Sequence, residues 1–330
     1  MAKKPAQRKA KTPAKKKAGG KKPAKPKTQQ KSAPRKSAAK SREAHWVKCI
    51  STEGNFRGVA IHAKDLVQEI VDMHGLEGIA AKGLGEAVLG ALFIASNCKE
   101  GEKINLNIQG SGHYRQVLVD AYPEGIVRGY VIEREDPEST AGPSRGPWGE
   151  GSLSVLRTKS LEREQPYIGT VPLVTGHLAK DLTYYWLQSE QIPSAVGIVV
   201  DVEKKKVKTA AGFIVQVLPN ASPQEVSALQ SKMEHFPSLA KELGKNSDPV
   251  KVLSKIFENH SFTLLEDRPL RFECQCSQER VERALMLIGP AELSSIINTL
   301  GKAMVRCDFC SKDYEVKQAQ LQALLERIRS

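Results

Sequence analysis

Four cysteines near the carboxyl end set the tightest constraint on what this chain can fold into. Cys274 and Cys276 form a C-x-C pair, and Cys307 and Cys310 form a C-x-x-C pair after thirty intervening residues. Zinc takes four thiolates in tetrahedral geometry, and the same thiolates, stripped of metal, oxidise to disulfides. A segment that gathers both pairs has few folds open to it. Lys302 to Arg306 and Tyr314 to Val316 read as short strands flanking Cys307-Asp308-Phe309-Cys310, the hairpin knuckle of a zinc ribbon. Ser277 to Ile288 reads as a helix that stops at Gly289-Pro290 and returns the second pair to the first. The nearest histidine in sequence is His260, so the expected ligand set is Cys274, Cys276, Cys307 and Cys310 around one zinc ion. Four thiolates and Zn²⁺ sum to about −2, a charge that Arg271, Arg280, Arg306 and Lys312 are placed to offset. A purely structural zinc module is the plainer reading. Against it, C-x-C is uncommon in plain ribbons, and residues two or three apart can meet the Cα separation a disulfide needs. Four cysteines allow three pairings.

The remaining composition divides the chain. Net charge is +13 overall, yet residues 1–42 carry seventeen Lys or Arg and no acid, which leaves residues 43–330 at −4. Residues 1–44 repeat Lys, Ala and Pro, with no Phe, Tyr or Trp before Trp46, and cannot bury enough surface to offset their ordering entropy. This disordered tail resembles those of linker histones. Seventeen cations would meet nucleic acid or another polyanion through counterion release, with weak sequence preference; a solubilising tail and a targeting segment are the alternative uses. The hydrophobic fraction of 40% suffices for a real core beyond the tail. No apolar run approaches the eighteen residues of a membrane span and no signal-peptide pattern opens the chain, so a soluble, cytoplasmic protein without membrane contact is expected. Cys49 and Cys98 stand alone in apolar surroundings and read as buried structural thiols.

Periodicity then orders residues 45–222 as an α+β core domain. Asp65 to His74 reads as a helix ended by Gly75, and Leu84, Ala87, Val88, Ala91, Leu92 and Ala95 recur at helical steps. Residues 104–134 alternate about a turn at Gly110-Ser111-Gly112. Further strands are expected at 126–133, 152–158, 166–173, 195–202 and 211–218, with a helix at 175–190. Residues 223–270 read as a linker. Ser222-Pro223-Gln224-Glu225 has the signature of a helix start, with Val226, Leu229, Met233 and Phe236 forming its stripe. The stretch 236–270, broken by Pro237, Gly244, Pro249 and Pro269, reads as short helical pieces with apolar faces at Val252, Leu253, Ile256 and Phe257. Short helices are marginal alone, so this metastable linker needs a neighbour to dock on. Residues 271–330 then form the small zinc-binding domain.

The quartet occurs together with Phe56-Arg57-Gly58, Glu86-Ala87-Val88-Leu89-Gly90, Ile108-Gln109-Gly110-Ser111-Gly112, Val127-Arg128-Gly129-Tyr130 and Tyr184-Tyr185-Trp186-Leu187-Gln188-Ser189-Glu190-Gln191-Ile192-Pro193. With these segments, residues 46–316 resemble the redox-regulated heat-shock chaperones (chaperonins) of the thirty-three-kilodalton class. The resemblance implies an ATP-independent holdase, inactive while its four cysteines are reduced and hold zinc. Oxidation would release the metal, form two disulfides within neighbouring pairs (Cys274–Cys276 and Cys307–Cys310, which nearness in sequence also favours), unfold the linker and expose a surface for unfolding clients. It leaves open a homodimer in the oxidised form. The basic extension and the Pro/Gly-rich stretch from Glu135 to Gly151 depart from the family pattern.

Enzyme signatures are missing. Gly83-Leu84-Gly85 lacks the third glycine of a dinucleotide loop, and no Gly-Lys-Ser/Thr follows a glycine cluster. His74 and His177 read as capping or packing residues and Trp148 as a packed aromatic. The competing class is a nucleic-acid-associated zinc protein, whose metal only stabilises and whose tail delivers affinity.

Overall fold

A computed structural model of the chain describes residues 43–135, 146–159, 166–234, 248–258 and 260–329. The basic tail, the middle of the Glu135–Gly151 stretch and residues 235–247, including Phe236, lie outside these.

Two antiparallel sheets sandwich one helix. The first has the order β10-β1-β2-β9-β8, built from β1 (His45–Ser51), β2 (Phe56–His62), β8 (Ser194–Glu203), β9 (Lys206–Val217) and β10 (Phe262–Pro269). The second runs β11-β5-β4-β3-β6-β7, from β3 (Glu102–Gly110), β4 (Tyr114–Ala121), β5 (Ile126–Glu133), β6 (Gly151–Lys159), β7 (Tyr167–Pro172) and the two-residue β11 (Arg271–Phe272). All pairs are antiparallel except β11 with β5, which is parallel. Between the sheets runs α2 (Gly78–Ala95), packed on β3, β4 and β5 on one side and on β8 and β9 on the other. That position explains a composition that is apolar all round, since a helix covered on both sides has no water-facing stripe.

By length and hydropathy α2 is also the one described helix able to cross a membrane, contrary to the sequence expectation; 78% of it is buried inside the fold. Gly83, read above as part of a failed dinucleotide loop, lies within it. A Cβ there would stand 2.3 Å from Cζ of Tyr114, so glycine is what lets the helix lie against β4. Trp148 is fully buried against Tyr114, ring centroids 4.3 Å apart. Two more helices complete the core: α1 (Lys64–His74), ended by Gly75 at φ 64°, and α3 (Leu178–Gln188). Cys49 is buried, and burial pushes its thiol up to about 12; Cys98 is half-buried and is pushed up likewise to about 12.

The strands expected from 104 to 218 are all present, and β1 and β2 join them. The linker differs from the expectation. Helix α4 (Pro223–Glu234) starts with the anticipated capping box, in which Ser222 N and Oγ donate to Glu225 Oε2 at 2.8 and 2.7 Å. Helix α5 (Pro249–Ile256) is capped by Asp248 and buries Val252, Leu253 and Ile256 with Phe257 on the outer face of the first sheet, against Val47, Cys49, Phe56, Ala60 and Phe213. Phe262–Pro269, expected to be helical, is instead strand β10, paired along the whole of β1. Its Phe262, Leu264 and Leu265 suit a pleated edge as well as a helix, and β1 offers it a ladder of hydrogen bonds along its length, shifted once by a bulge at Lys48/Cys49.

A third, two-stranded sheet lies in the carboxyl-terminal module. Here β12 (Lys302–Arg306) pairs with β13 (Asp313–Lys317) beside α6 (Gln278–Leu287), α7 (Pro290–Thr299) and α8 (Gln318–Arg329). Val281, Leu285, Leu293, Ile297, Tyr314, Val316, Leu321 and Leu324 form its own small core.

Candidate metal centre at the edge of the core

The first cysteine pair is delivered by the core and the second by the hairpin. Strand β11 pairs with β5, and the Glu273 amide continues the ladder onto Val127 O, so Cys274 follows a fixed backbone. Cys276 precedes Ser277, whose side chain caps α6 by accepting from the Arg280 amide at 3.3 Å. The knuckle between β12 and β13 closes with Cys307 N donating to Lys312 O at 2.9 Å and Ser311 N to Cys307 O at 2.8 Å. Ser311 takes the left-handed conformation there, φ 57°.

This scaffold brings all four sulfurs within 4.8 Å of one another. Cys274 Sγ lies 3.8 Å from Cys307 Sγ, and Cys276 Sγ lies 3.4 Å from Cys310 Sγ. A tetrahedron with Zn–S bonds of about 2.3 Å has S···S edges of about 3.8 Å, so the donor set fits a tetrahedral thiophilic ion. The same closeness puts every pairing within reach of modest rotation, and the gathered arrangement does not select one.

The Tyr314 hydroxyl donates to Cys276 Sγ at 2.9 Å. Burial alone would raise the Cys276 thiol, but this hydroxyl and the neighbouring thiols stabilise its thiolate and bring it down to about 7. Burial raises Cys307 and Cys310. Of the cations expected to offset the site, Arg271 pairs with Glu273, Arg280 reaches Gln275, and Lys312 lies over the Tyr314 ring. Among the described residues, the guanidinium hydrogen-bonded to a sulfur of the site is that of Arg128 of β5, 3.7 Å from Cys274 Sγ. Arg128 belongs to the Val127-Arg128-Gly129-Tyr130 segment, and no sequence signal ties it to the site, because it lies 146 residues from Cys274 and only the β5–β11 pairing brings it close.

The knuckle also meets the core directly. Phe309 lies under the Arg128 guanidinium, 4.1 Å from its ring centroid, and edge-on to Tyr130 at 5.1 Å. His74, anticipated as a capping or packing residue, ends α1 with Nε2 3.1 Å from Phe309 O.

The model of the family described as "Hsp33 protein" matches residues 45–317. This chain belongs to the Hsp33 family. It is similar to the 33 kDa chaperonin of Shouchella clausii, 33% identical over 290 residues that cover 86% of this chain and 98% of the relative. The 33 kDa chaperonin of Geobacter sulfurreducens is 35% identical over 291 residues, covering 86% and 95%. The crystal structure of the Thermotoga maritima 33 kDa chaperonin superposes with a TM-score of 0.77 at 30% identity, covering 88% of this chain and all of that one. Hsp33 is a chaperone family, not an enzyme family. The family match starts at residue 45, where the basic tail ends.

Proposed function

We propose that this chaperone is a redox-regulated, ATP-independent holdase, held inactive by a zinc ion on Cys274, Cys276, Cys307 and Cys310. The observation that carries the reading is the gathering of four sulfurs within 4.8 Å, on a module whose first pair directly follows the segment that docks on the core. A zinc ion bound there would hold all four sulfurs as thiolates and tie the two pairs together. Structural sites of this kind contribute on the order of 10 kcal/mol to folding, more than a small module can spare.

Activation is a four-electron oxidation of the chain. Two thiolates lose two electrons and form one S–S bond, and each equivalent of peroxide takes up those electrons and two protons and leaves as two waters; two disulfides consume two equivalents. The pairing proposed is Cys274–Cys276 and Cys307–Cys310. Sulfurs so bonded no longer serve as thiolate ligands. The hairpin then loses its tie to β11, and the strain falls on residues 223–270. Undocking of α5 bares Val252, Leu253, Ile256 and Phe257 and the sheet face beneath them, an apolar surface suited to unfolding clients in the cytoplasm.

The test treats zinc-loaded protein with peroxide or hypochlorite and follows metal release, free thiols and aggregation of an unfolding client together. All three should change in step. Retained zinc with unchanged client aggregation refutes the switch, and tight zinc binding by Cys307→Ser refutes the ligand set.

A further inference from the structure

Phe309 stands between the cysteines of the second pair, yet its contacts belong to the core. Arg128 and Tyr130 project from the same face of β5, two residues apart, and hold the ring, the guanidinium over its face and the Tyr130 ring in T-shaped contact with it. His74 meets the main-chain carbonyl of the same residue. The core holds this grip in place by itself: Arg128 Nε and Nη2 donate to Asp120 Oδ2 at 2.9 and 2.7 Å, and Asp120 is 1% exposed and also bound by Lys103 and Asn105. Gly129 lies between them on the other face, where a Cβ would meet Val119 at 2.8 Å, so the strand is pressed against the fold beneath.

We propose that Arg128, Tyr130 and His74 form a socket for an aromatic residue of an unfolded client, and that Phe309 occupies it in the reduced chain as a built-in competitor. The proposal rests on the redox reading above, because it is the departure of the knuckle that opens the socket. The socket recognises two things at once. A guanidinium over one face and a ring at right angles take any aromatic side chain. With its proton on Nε2, His74 donates to the carbonyl of that same residue. A folded protein keeps its large aromatics buried and its carbonyls paired, whereas an unfolding chain presents both together. The site would therefore select for clients that are losing their fold, and it would be blocked for as long as the four cysteines stay gathered.

The probe is a fluorescent nine-residue peptide spanning Val305–Asp313 with Cys307→Ser and Cys310→Ser, read by anisotropy against the full chain. Peroxide-oxidised protein should bind it about tenfold or more tightly than reduced, zinc-loaded protein, and Phe309→Ala in the peptide should weaken binding about tenfold. Tyr130→Ser in the oxidised full chain should cost a similar factor. In the reduced, zinc-loaded chain, Phe309→Ala should open the socket without oxidant, so that the peptide binds while the metal stays. Equal binding of the Phe and Ala peptides by oxidised protein, or unchanged binding after Tyr130→Ser, overturns the socket. If peroxide releases no metal, it is the redox reading that fails, and the reduced Phe309→Ala chain still decides on the socket. If metal leaves normally and neither form discriminates the peptides, the socket fails and the switch stands.

Discussion

Replacing Leu253 with Ala tests whether docking of α5 keeps the chaperone silent. Leu253 is fully buried under the first sheet, beside Phe257 and close enough to Gly58 that a Cβ there would stand 3.0 Å from its Cδ2. Truncating a buried leucine to alanine costs about 2–5 kcal/mol, the lost transfer energy plus the cavity left behind. Helix α5 is eight residues long and marginal by itself, so the cost falls on docking rather than on the global fold. At about 1.4 kcal/mol per factor of ten, the undocked population rises roughly 30- to 4,000-fold. The four cysteines are untouched, so metal binding should be unchanged. The assay is light scattering by a thermally unfolding client in the presence of reduced, zinc-loaded protein, with limited proteolysis across residues 249–257 as the readout of undocking. The variant should suppress aggregation without oxidant and be cut faster than the parent. Rapid cleavage with no gain in protection would refute the reasoning, because it would show the linker released and the clients still unbound.

Three further outcomes follow from particular contacts. Tyr314→Phe removes the hydroxyl donated to Cys276 Sγ while keeping the ring, and should weaken metal affinity about 10- to 100-fold in a chelator competition; unchanged affinity would show that the hydroxyl does not orient the thiolate. Burial lifts the Glu86 carboxyl on α2 from 4.5 to about 7, against a smaller pull from Lys82, so the folded state holds its proton more tightly than the unfolded one. Its contribution is full below pH 4.5 and is lost as pH rises from there to 7; Glu86→Gln should flatten that fall, on the order of 2–3 kcal/mol, in denaturant titrations, and an unaltered slope counts against it. Deleting residues 1–44 should leave oxidant-dependent client protection intact and abolish salt-sensitive retention on duplex DNA. Loss of protection would favour the nucleic-acid reading instead.

The site was more legible in the sequence than the fold around it. Ligand spacing is local: a C-x-C, a C-x-x-C and a hairpin pattern identify Cys274, Cys276, Cys307 and Cys310 without knowledge of anything distant, and the structure gathers these four. Caps are local as well, so Ser222, Gly75 and Ser277 mark helix ends that the structure confirms. The strand at Phe262–Pro269 was not legible, because its apolar residues follow no clean alternation and its partner β1 lies more than two hundred residues earlier. Helix α2 meets the length and hydropathy of a membrane span, which the run-by-run reading of the sequence did not register, and its burial between two sheets is what hydropathy cannot distinguish from a lipid neighbour.

What the sequence determined, then, is the raw material of the chemistry: four cysteines at metal-site spacing and a tail of seventeen cations that lies beyond the family match. What only the tertiary structure decided is how that chemistry is connected to the rest of the molecule. The parallel pairing of β11 with β5 brings Arg128 to Cys274 and sets Phe309 against Tyr130 and His74. Such contacts depend on strand register across well over a hundred residues of chain, and register follows from how both faces of a sheet are packed, which no local pattern records.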